Sequence, residues 1–370
     1  MDGPRPVRRE EAEDLANLLC EVFQFHEYYD RRRLTRDLLR RVHLRGARVI
    51  AEDGRPVSHI LFVPSKVSIH GCRVKVVSIG GVSTDPRYRQ RGYAGTILQQ
   101  GIADATAAGA RVMIVSGDRS LYRRNHCVPA GHLLEAVIRR GELRSDRRGL
   151  RLRRVAQGDW PELAPIYAAE PVRFLRSLSF FSECCWWWDC GLPEIWAIAC
   201  DGRTEAYLSL LPPWRQEAPV RTVGEYAGSR AAVLDALPAI FDAMPIEEIR
   251  FQFPGRDHEL PYLLSGRAIP LRRTILSGAL RLLNLPGLMR DLRPYLAARL
   301  PRKALRGLAF GQRGELCRFS LADQHLDMSL SQAAALVLGG PDAPEVGGAL
   351  GEALGAVLPI PLPLPGFNYV

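Results

Sequence analysis

The residues whose types and spacing could do chemistry are concentrated between Val82 and Gly95, which reads Val-Ser-Thr-Asp-Pro-Arg-Tyr-Arg-Gln-Arg-Gly-Tyr-Ala-Gly. The chemistry they suggest is pyrophosphate binding. Arg73 to Gly80, just before, is rich in β-branched residues and predicts a strand; Ile97, Leu98, Ile102 and Ala105, just after, recur at helical spacing. Val82, Ser83 and Thr84 then end a strand, and Arg89, Gln90, Arg91, Gly92, Tyr93, Ala94 and Gly95 form the turn that opens a helix. The first backbone N–H groups of a helix lack intrahelical partners and carry the positive end of its dipole, so a phosphate is stabilised there. Gly92, with no Cβ, lets the backbone come close to a ligand. Ala94 and Gly95 keep the next positions small, while Arg87, Arg89 and Arg91 add positive charge. The commoner phosphate loops are not matched: no Gly-Lys-Ser/Thr follows, and Gly92-Tyr93-Ala94-Gly95 does not fit Gly-x-Gly-x-x-Gly. An ordinary glycine turn before a surface helix has the same local pattern, so the surrounding elements decide.

Those elements begin with a strand near Pro6 to Arg8 and a helix with Leu15, Leu18, Leu19, Val22 and Phe23 on one face. A second helical segment is expected from Arg31 to Val42. Ala47 to Glu52 and Val57 to Ile69 read as strands joined by Asp53-Gly54, a hairpin signal. After the strand, glycine turn and helix comes a buried strand, Ala110 to Ser116, and then Asp118-Arg119-Ser120-Leu121-Tyr122-Arg123-Arg124-Asn125-His126-Cys127. In this order of elements, Val7 to about Arg140 resembles the GNAT superfamily of acetyl-CoA-dependent N-acetyltransferases.

The resemblance implies acetyl-CoA as cosubstrate, its pyrophosphate on Arg89 to Ala94 and its pantetheine arm along Val82 to Thr84. It implies that a backbone N–H near Val82 polarises the thioester carbonyl, a hydrogen bond that strengthens as the oxyanion forms. It also implies that Tyr122 protonates the departing thiolate. With a thiol pKa of about 8.5 and a phenol pKa of about 10, the donation needs little tuning. The family usually has a glycine and then an aromatic residue where this chain has His126 and Cys127, which leaves the shape of the thiol end of the pocket open. The acceptor amine is expected near Phe23 to Tyr29, with Glu27 attracting a cation and Phe25, Tyr28 and Tyr29 forming walls.

At 370 residues and 47% hydrophobic content, the chain is long enough for several domains with sizeable cores. The formal net charge is +10, yet lysine occurs only at Lys66, Lys75 and Lys303. This arginine-borne charge suits an anionic cosubstrate, and without a dense basic run interleaved with aromatics no nucleic-acid partner is expected. No apolar signal core is read at the amino terminus, and no apolar run reaches the roughly eighteen residues of a membrane helix. The expected setting is the cytoplasm, without a membrane. Among the eight cysteines, Cys184, Cys185 and Cys190 cluster without CxxC spacing or a nearby histidine, so thiols are expected and no metal. Trp186-Trp187-Trp188 beside them reads as core or interface.

Beyond Arg140 the pattern restarts. Arg151 to Val155, a helix from Asp159 to Glu170, then Ile195 to Cys200, Asp201-Gly202 and Ala206 to Leu211 echo the opening of the first domain. Gly224 to Gly228 falls at the later strand position and Ala231 to Ala243 reads as the next helix, but no Arg-x-x-Gly-x-Gly/Ala turn is present. We read a degenerate second GNAT-like unit without a cofactor of its own. From Leu271 on, a strand (Thr274 to Leu283), a helix (Pro286 to Leu300), strands Gly314 to Ser320 and His325 to Leu330, and a helix Ser331 to Leu338 closed by Gly339-Gly340 are expected. This order resembles the sterol-carrier-protein-like domain closing the enhanced-intracellular-survival type of aminoglycoside acetyltransferases. The expected class is therefore α/β (α+β), a GNAT fold with mixed sheet, with domains at 1–145, 146–270 and 271–370. The proline-rich tail from Leu358 should be extended and packed, and the resemblance makes the Val370 carboxylate a candidate base for the attacking amine. Acceptors in view are aminoglycosides, other polyamines, small metabolites or peptide amines. A non-catalytic acyl-CoA or lipid-binding protein and an interaction scaffold, including a homo-oligomer, are the other classes in view.

Overall fold

The computed structural model describes residues 1–23, 41–145, 147–183, 194–211 and 219–368. The strands used below run in chain order as β1 (Asp2–Pro6), β2 (Ala47–Glu52), β3 (Arg55–Ile69), β4 (Cys72–Thr84), β5 (Val112–Val115), β6 (Leu133–Arg139), β7 (Leu150–Arg154) and β8 (Glu194–Cys200). They continue as β9 (Arg203–Leu210), β10 (Val220–Gly228), β11 (Glu248–Pro254), β12 (Leu271–Thr274), β13 (Ala279–Leu282), β14 (Leu308–Arg313), β15 (Leu316–Leu321) and β16 (Gln324–Ser329). The helices used below are α1 (Ala12–Phe23), α2 (Tyr93–Ala107), α3 (Ser120–Arg123), α4 (Arg230–Ala243), α5 (Leu330–Leu338) and α6 (Gly348–Val357).

The chain forms two compact units, neither continuous in sequence: Met1–Ala130 with Ser277–Ile360, and Gly131–Leu276 with Pro361–Asn368. This partition differs from a division at 145 and 270. Strand β6, placed by sequence in the first domain, pairs antiparallel with β11 and β12 in the second unit's sheet. Residues 277–360 fold with the amino-terminal unit because β13 adds antiparallel to the free edge of β5.

In the first unit the sheet runs β1-β2-β3-β4-β5-β13, antiparallel except for the parallel pair β4 and β5. Asp53 and Gly54 both take positive φ, 49° and 77°, the primed turn that the right-handed twist of a two-residue hairpin requires. Alternation along β3 then sorts the core. Leu61 and Val63 pack against Leu15, Ala16, Leu18 and Leu19 of α1, while Ile60 and Phe62 pack with Ile97 and Leu98 of α2. A Cβ on Gly101 of α2 would lie 2.0 Å from the Phe62 ring, so the helix can approach the sheet this closely only with glycine there.

The second unit's sheet runs β12-β6-β11-β10-β9-β8-β7, and β10 and β11 form its one parallel pair. Four antiparallel strands, a helix (α4) and a parallel strand repeat the order of β1 to β5. The fold is thus a mixed α/β architecture with the GNAT-like plan present twice. A small antiparallel sheet, β14-β15-β16, completes the first unit with α5 and α6. The expected strand Thr274 to Leu283 is two strands, separated at Gly278, whose φ is +121°. The expected helix Pro286 to Leu300 is also two pieces, Leu285–Asp291 and Arg293–Ala297, since the backbone leaves the helix at Leu292 ahead of Pro294. The tail is packed as expected, but it ends in a 3-10 turn at Gly366–Asn368: Ile360 donates its N–H to the Val337 carbonyl, while Leu364 and Phe367 lie against the second unit's cores.

Candidate functional site

The site begins with an irregularity in β4. His59 pairs with Ser83 and Leu61 with Gly80, so Gly81 and Val82 together oppose Ile60 in a β-bulge, with Gly81 at φ +58°. Parallel pairing of β4 with β5 runs from Val76 and Val112 to Ile79 and Val115 and stops there, although β4 continues to Thr84. The two strands therefore part at the bulge. Thr84 shares a 2.9 Å hydroxyl contact with Ser58, and Ser83 is buried, its Oγ without a hydrogen-bond partner among the described residues. Successive in the strand, Ser83 and Thr84 point to opposite faces of the sheet, and the backbone of Val82 to Thr84, beyond the last pair with β5, is the surface for a ligand arm.

Beyond β4, Asp85 caps a short turn by accepting the Arg87 N–H at 2.9 Å, and it also pairs with the Arg87 guanidinium at 2.6 Å. That hydrogen bond holds the Asp85 carboxyl below the usual range and commits Arg87, which the sequence had grouped with the anion-binding arginines. Arg89 and Arg91 form no salt bridge among the described residues; Arg89 Nε donates to the Thr84 carbonyl at 3.3 Å, and the Arg91 guanidinium lies 4.8 Å from the Tyr88 ring centroid. Gln90 and Gly92 take φ +65° and +80°, turning the chain into α2, and Thr96 N–H donates back to the Gly92 carbonyl at 3.0 Å. Among the described residues, the N–H groups of Gln90 to Gly95 donate no hydrogen bond. Tyr93 contributes its N–H, while its hydroxyl donates to Glu52 Oε1 at 2.5 Å, tying the start of α2 to β2. This bond lowers the Glu52 pKa and raises that of Tyr93.

Tyr122 is on α3, which follows the end of β5, and is buried in the same core as Ile79, Leu98 and Val115, with Val82 and Tyr93 packed against that core. Its neighbour Leu121 reaches within 4.0 Å of where a Cβ on Gly95 would be. The bulged end of β4, the entrance of α2 and Tyr122 thus meet at one core cluster. His126, at the family's glycine position, has φ +55°, the left-handed region that favours glycine. Its ring is held by Ser331 Oγ at 3.3 Å from Nδ1 and Glu315 Oε1 at 2.8 Å from Nε2. Cys127 is buried beneath it, and burial pushes its thiol up to about 12. A residue that sequence reasoning missed is His59, whose Nδ1 lies 2.8 Å from the Gly81 carbonyl oxygen at the bulge. Phe25, Glu27, Tyr28, Tyr29 and Val370 lie outside the described residues, as do the cysteine cluster and the tryptophan run.

At the corresponding helix entrance of the second unit, Ser229 caps α4 by accepting the Ala232 N–H at 3.2 Å. Glu170 accepts the Gly228 N–H at 2.9 Å and pairs with Arg230, which also pairs with Asp257 at 3.1 Å. Protein oxygens there accept from two N–H groups, those of Gly228 and Ala232, at positions left open in the first unit. Among the described residues no group of three or more His, Cys, Asp or Glu could hold a metal ion, and no helix is long and apolar enough to cross a membrane.

Among the described residues, a run of N–H groups without acceptors, two arginines without salt bridges and the parting of a parallel strand pair fit an elongated ligand carrying a pyrophosphate. The comparisons agree with that geometry. Residues 4–127 match the family described as Acetyltransferase (GNAT) domain. No match is found among curated proteins. Similar solved structures include a probable N-acyltransferase from Enterococcus faecalis V583, 17% identical, covering 90% of this chain and 86% of that one, with a TM-score of 0.60. A GCN5-related N-acetyltransferase from Anabaena variabilis is 15% identical over 90% of this chain and 89% of its own, with a TM-score of 0.62. Eis1 from Mycobacterium abscessus is 15% identical over 88% of this chain and 84% of its own, with a TM-score of 0.58. At such identities the likeness establishes the fold. The amino-terminal segment is a GNAT acetyltransferase domain. That domain supports an acyltransferase; the family matched by residues 4–127 uses an acyl-CoA as acyl donor.

Proposed function

We propose that this protein transfers the acetyl group of acetyl-CoA to a primary amine by direct attack, in the cytoplasm. The observation that carries the reading is the alignment of the bulged end of β4 with the open N–H groups at the entrance of α2, beside Tyr122. In it the pyrophosphate rests on the N–H groups from Gln90 to Gly95, with Arg89 and Arg91 offsetting its charge, and the pantetheine arm follows Val82 to Thr84. The Val82 N–H donates to the thioester oxygen as negative charge develops there. The amine nitrogen bonds to the carbonyl carbon, the C–S bond breaks, Tyr122 gives its proton to the sulfur, and the nitrogen gives a proton to the Val370 carboxylate, the candidate base, from which solvent returns one to Tyr122. We assign the acceptor side to Phe25, Glu27 and Tyr28, suited to a cationic amine, and read the β14-β15-β16 sheet with α5 and α6 as sterol-carrier-protein-like.

Thermal unfolding with and without acetyl-CoA, in the wild type and in Gly92→Glu, tests the reading. At about 100 times its dissociation constant a ligand adds about 2.7 kcal/mol to the folded state, so a clear rise in Tm is expected in the wild type. A Cβ at position 92 meets nothing within 4 Å, so the variant has room for its side chain and bears only the strain of a positive φ, on the order of 1–2 kcal/mol. It should fold, melt somewhat lower and show no rise. A wild type indifferent to acetyl-CoA would defeat the proposal.

A further inference from the structure

We propose that His59 is a positioning residue that aims the Val82 N–H at the thioester, an inference that rests on the acyl-transfer reading above. His59 is on β3, 1% exposed, and its Nδ1 is 2.8 Å from the Gly81 carbonyl oxygen. A carbonyl oxygen only accepts, so Nδ1 carries the hydrogen and donates it. The Gly81 C=O and the Val82 N–H are the two ends of one planar trans peptide and point in opposite directions. Holding the first therefore fixes the second. In the strand order β3-β4-β5, the carbonyl is drawn toward β3, which turns the Val82 N–H toward the side from which β5 has departed.

The clamp is needed because a bulge is where the ladder no longer dictates peptide orientation. Gly81 is shaped for it: φ is +58°, and a Cβ there would lie 3.2 Å from His59 Cε1 and 3.7 Å from Leu19 Cδ2. A side chain at this position would press on the imidazole from the β4 side while α1 closes the other. A donor on the carbonyl also polarises the amide and makes its N–H a stronger donor. His59 thus serves the reaction without touching the substrate.

The test is isotope-edited infrared spectroscopy of acetyl-CoA labelled with ¹³C at the thioester carbonyl, bound to the full chain, in the wild type, His59→Leu, His59→Asn and His59→Gln. In the wild type the carbonyl band should shift to lower frequency than in free acetyl-CoA. His59→Leu should lose most of that shift while binding CoA within about twofold of wild type, and its kcat should fall roughly tenfold, less than the 10²–10³-fold cost of deleting an oxyanion donor outright. Asparagine places its amide nitrogen where Nδ1 stands and should restore shift and rate; glutamine, whose nitrogen reaches the Nε2 position, should not. An undiminished shift in His59→Leu, or equal behaviour of the Asn and Gln variants, overturns the role of His59 alone. No shift in the wild type with acetyl-CoA bound overturns the polarising N–H itself.

Discussion

Tyr122→Phe is expected to lower kcat by about 10²-fold or more, the usual scale for a lost general acid, while leaving the affinity for CoA as it was. The ring is packed in the core with Ile79, Leu98 and Val115, and phenylalanine fills the same space, so the substitution removes a hydroxyl and little else. Without that hydroxyl the sulfur must leave as a thiolate. The rate should then depend on the leaving thiol: acyl donors with more acidic thiols should lose less in the variant than acetyl-CoA does. Steady-state kinetics with two donors and calorimetric titration of CoA separate these effects. Equal rates in the two proteins would remove Tyr122 from the chemistry and return it to the core as packing.

The largest loss of stability is expected from Arg176→Met in the second unit. The Arg176 side chain is 1% exposed and the Glu225 side chain 5%, joined by two hydrogen bonds of 2.7 and 2.6 Å. Burial works to discharge the guanidinium, and the Glu225 carboxylate more than offsets it, so the arginine pKa is raised. The pair is enclosed by rings, with Tyr167 centred 4.0 Å from the guanidinium and Phe180, Phe181 and Phe367 around it. Glu225 also accepts from the Tyr207 hydroxyl at 2.6 Å and the Phe367 N–H at 3.1 Å, and Arg176 donates to Asn368 at 2.7 Å. Methionine would strand a buried carboxylate, which costs about 3–5 kcal/mol. Urea unfolding measures this, and carboxypeptidase should trim the tail faster, since Phe367 and Asn368 lose their anchor. A companion Arg176→Met, Glu225→Met protein should recover part of the loss, the Tyr207 and Phe367 donors remaining without an acceptor. A single variant within about 1 kcal/mol of wild type would show that the carboxylate finds another way to be neutralised.

What could be read from the residues in advance was local. The Asp53-Gly54 hairpin, the apolar stripe of α1 from Leu15 to Val22 and the glycine turn into α2 each depend on neighbours a few positions apart, and each is present, although Phe23 at the end of the stripe is exposed. His59 could not be read this way. A single histidine in a strand carries no pattern, and its role depends on a bulge in a different strand. The Arg176 and Glu225 pair likewise joins residues from separate elements. Arg87 is a contrary case: its partner Asp85 is two positions away, and the sequence could have shown that this charge was already committed. Helix α6 was missed because Gly348, Gly351 and Gly355 lower its propensity, although Leu350, Ala353, Leu354 and Val357 keep helical spacing and are buried. The membership of β6 in the second sheet is a tertiary choice that its own residues do not encode.

The helix entrance occurs twice in this chain, and the two copies are in different thermodynamic situations. In the second unit the Glu170 and Asp257 carboxylates already neutralise Arg230, while Glu170 and Ser229 accept the Gly228 and Ala232 N–H groups, so that entrance carries its own acceptors. In the first, on the proposed function, a diffusible partner completes it. Stability linked to acyl-CoA concentration is therefore confined to one unit of a duplicated plan. When the metabolite is scarce, it is the catalytic unit that should open first to hydrogen exchange and proteolysis, while its internally neutralised counterpart keeps its protection.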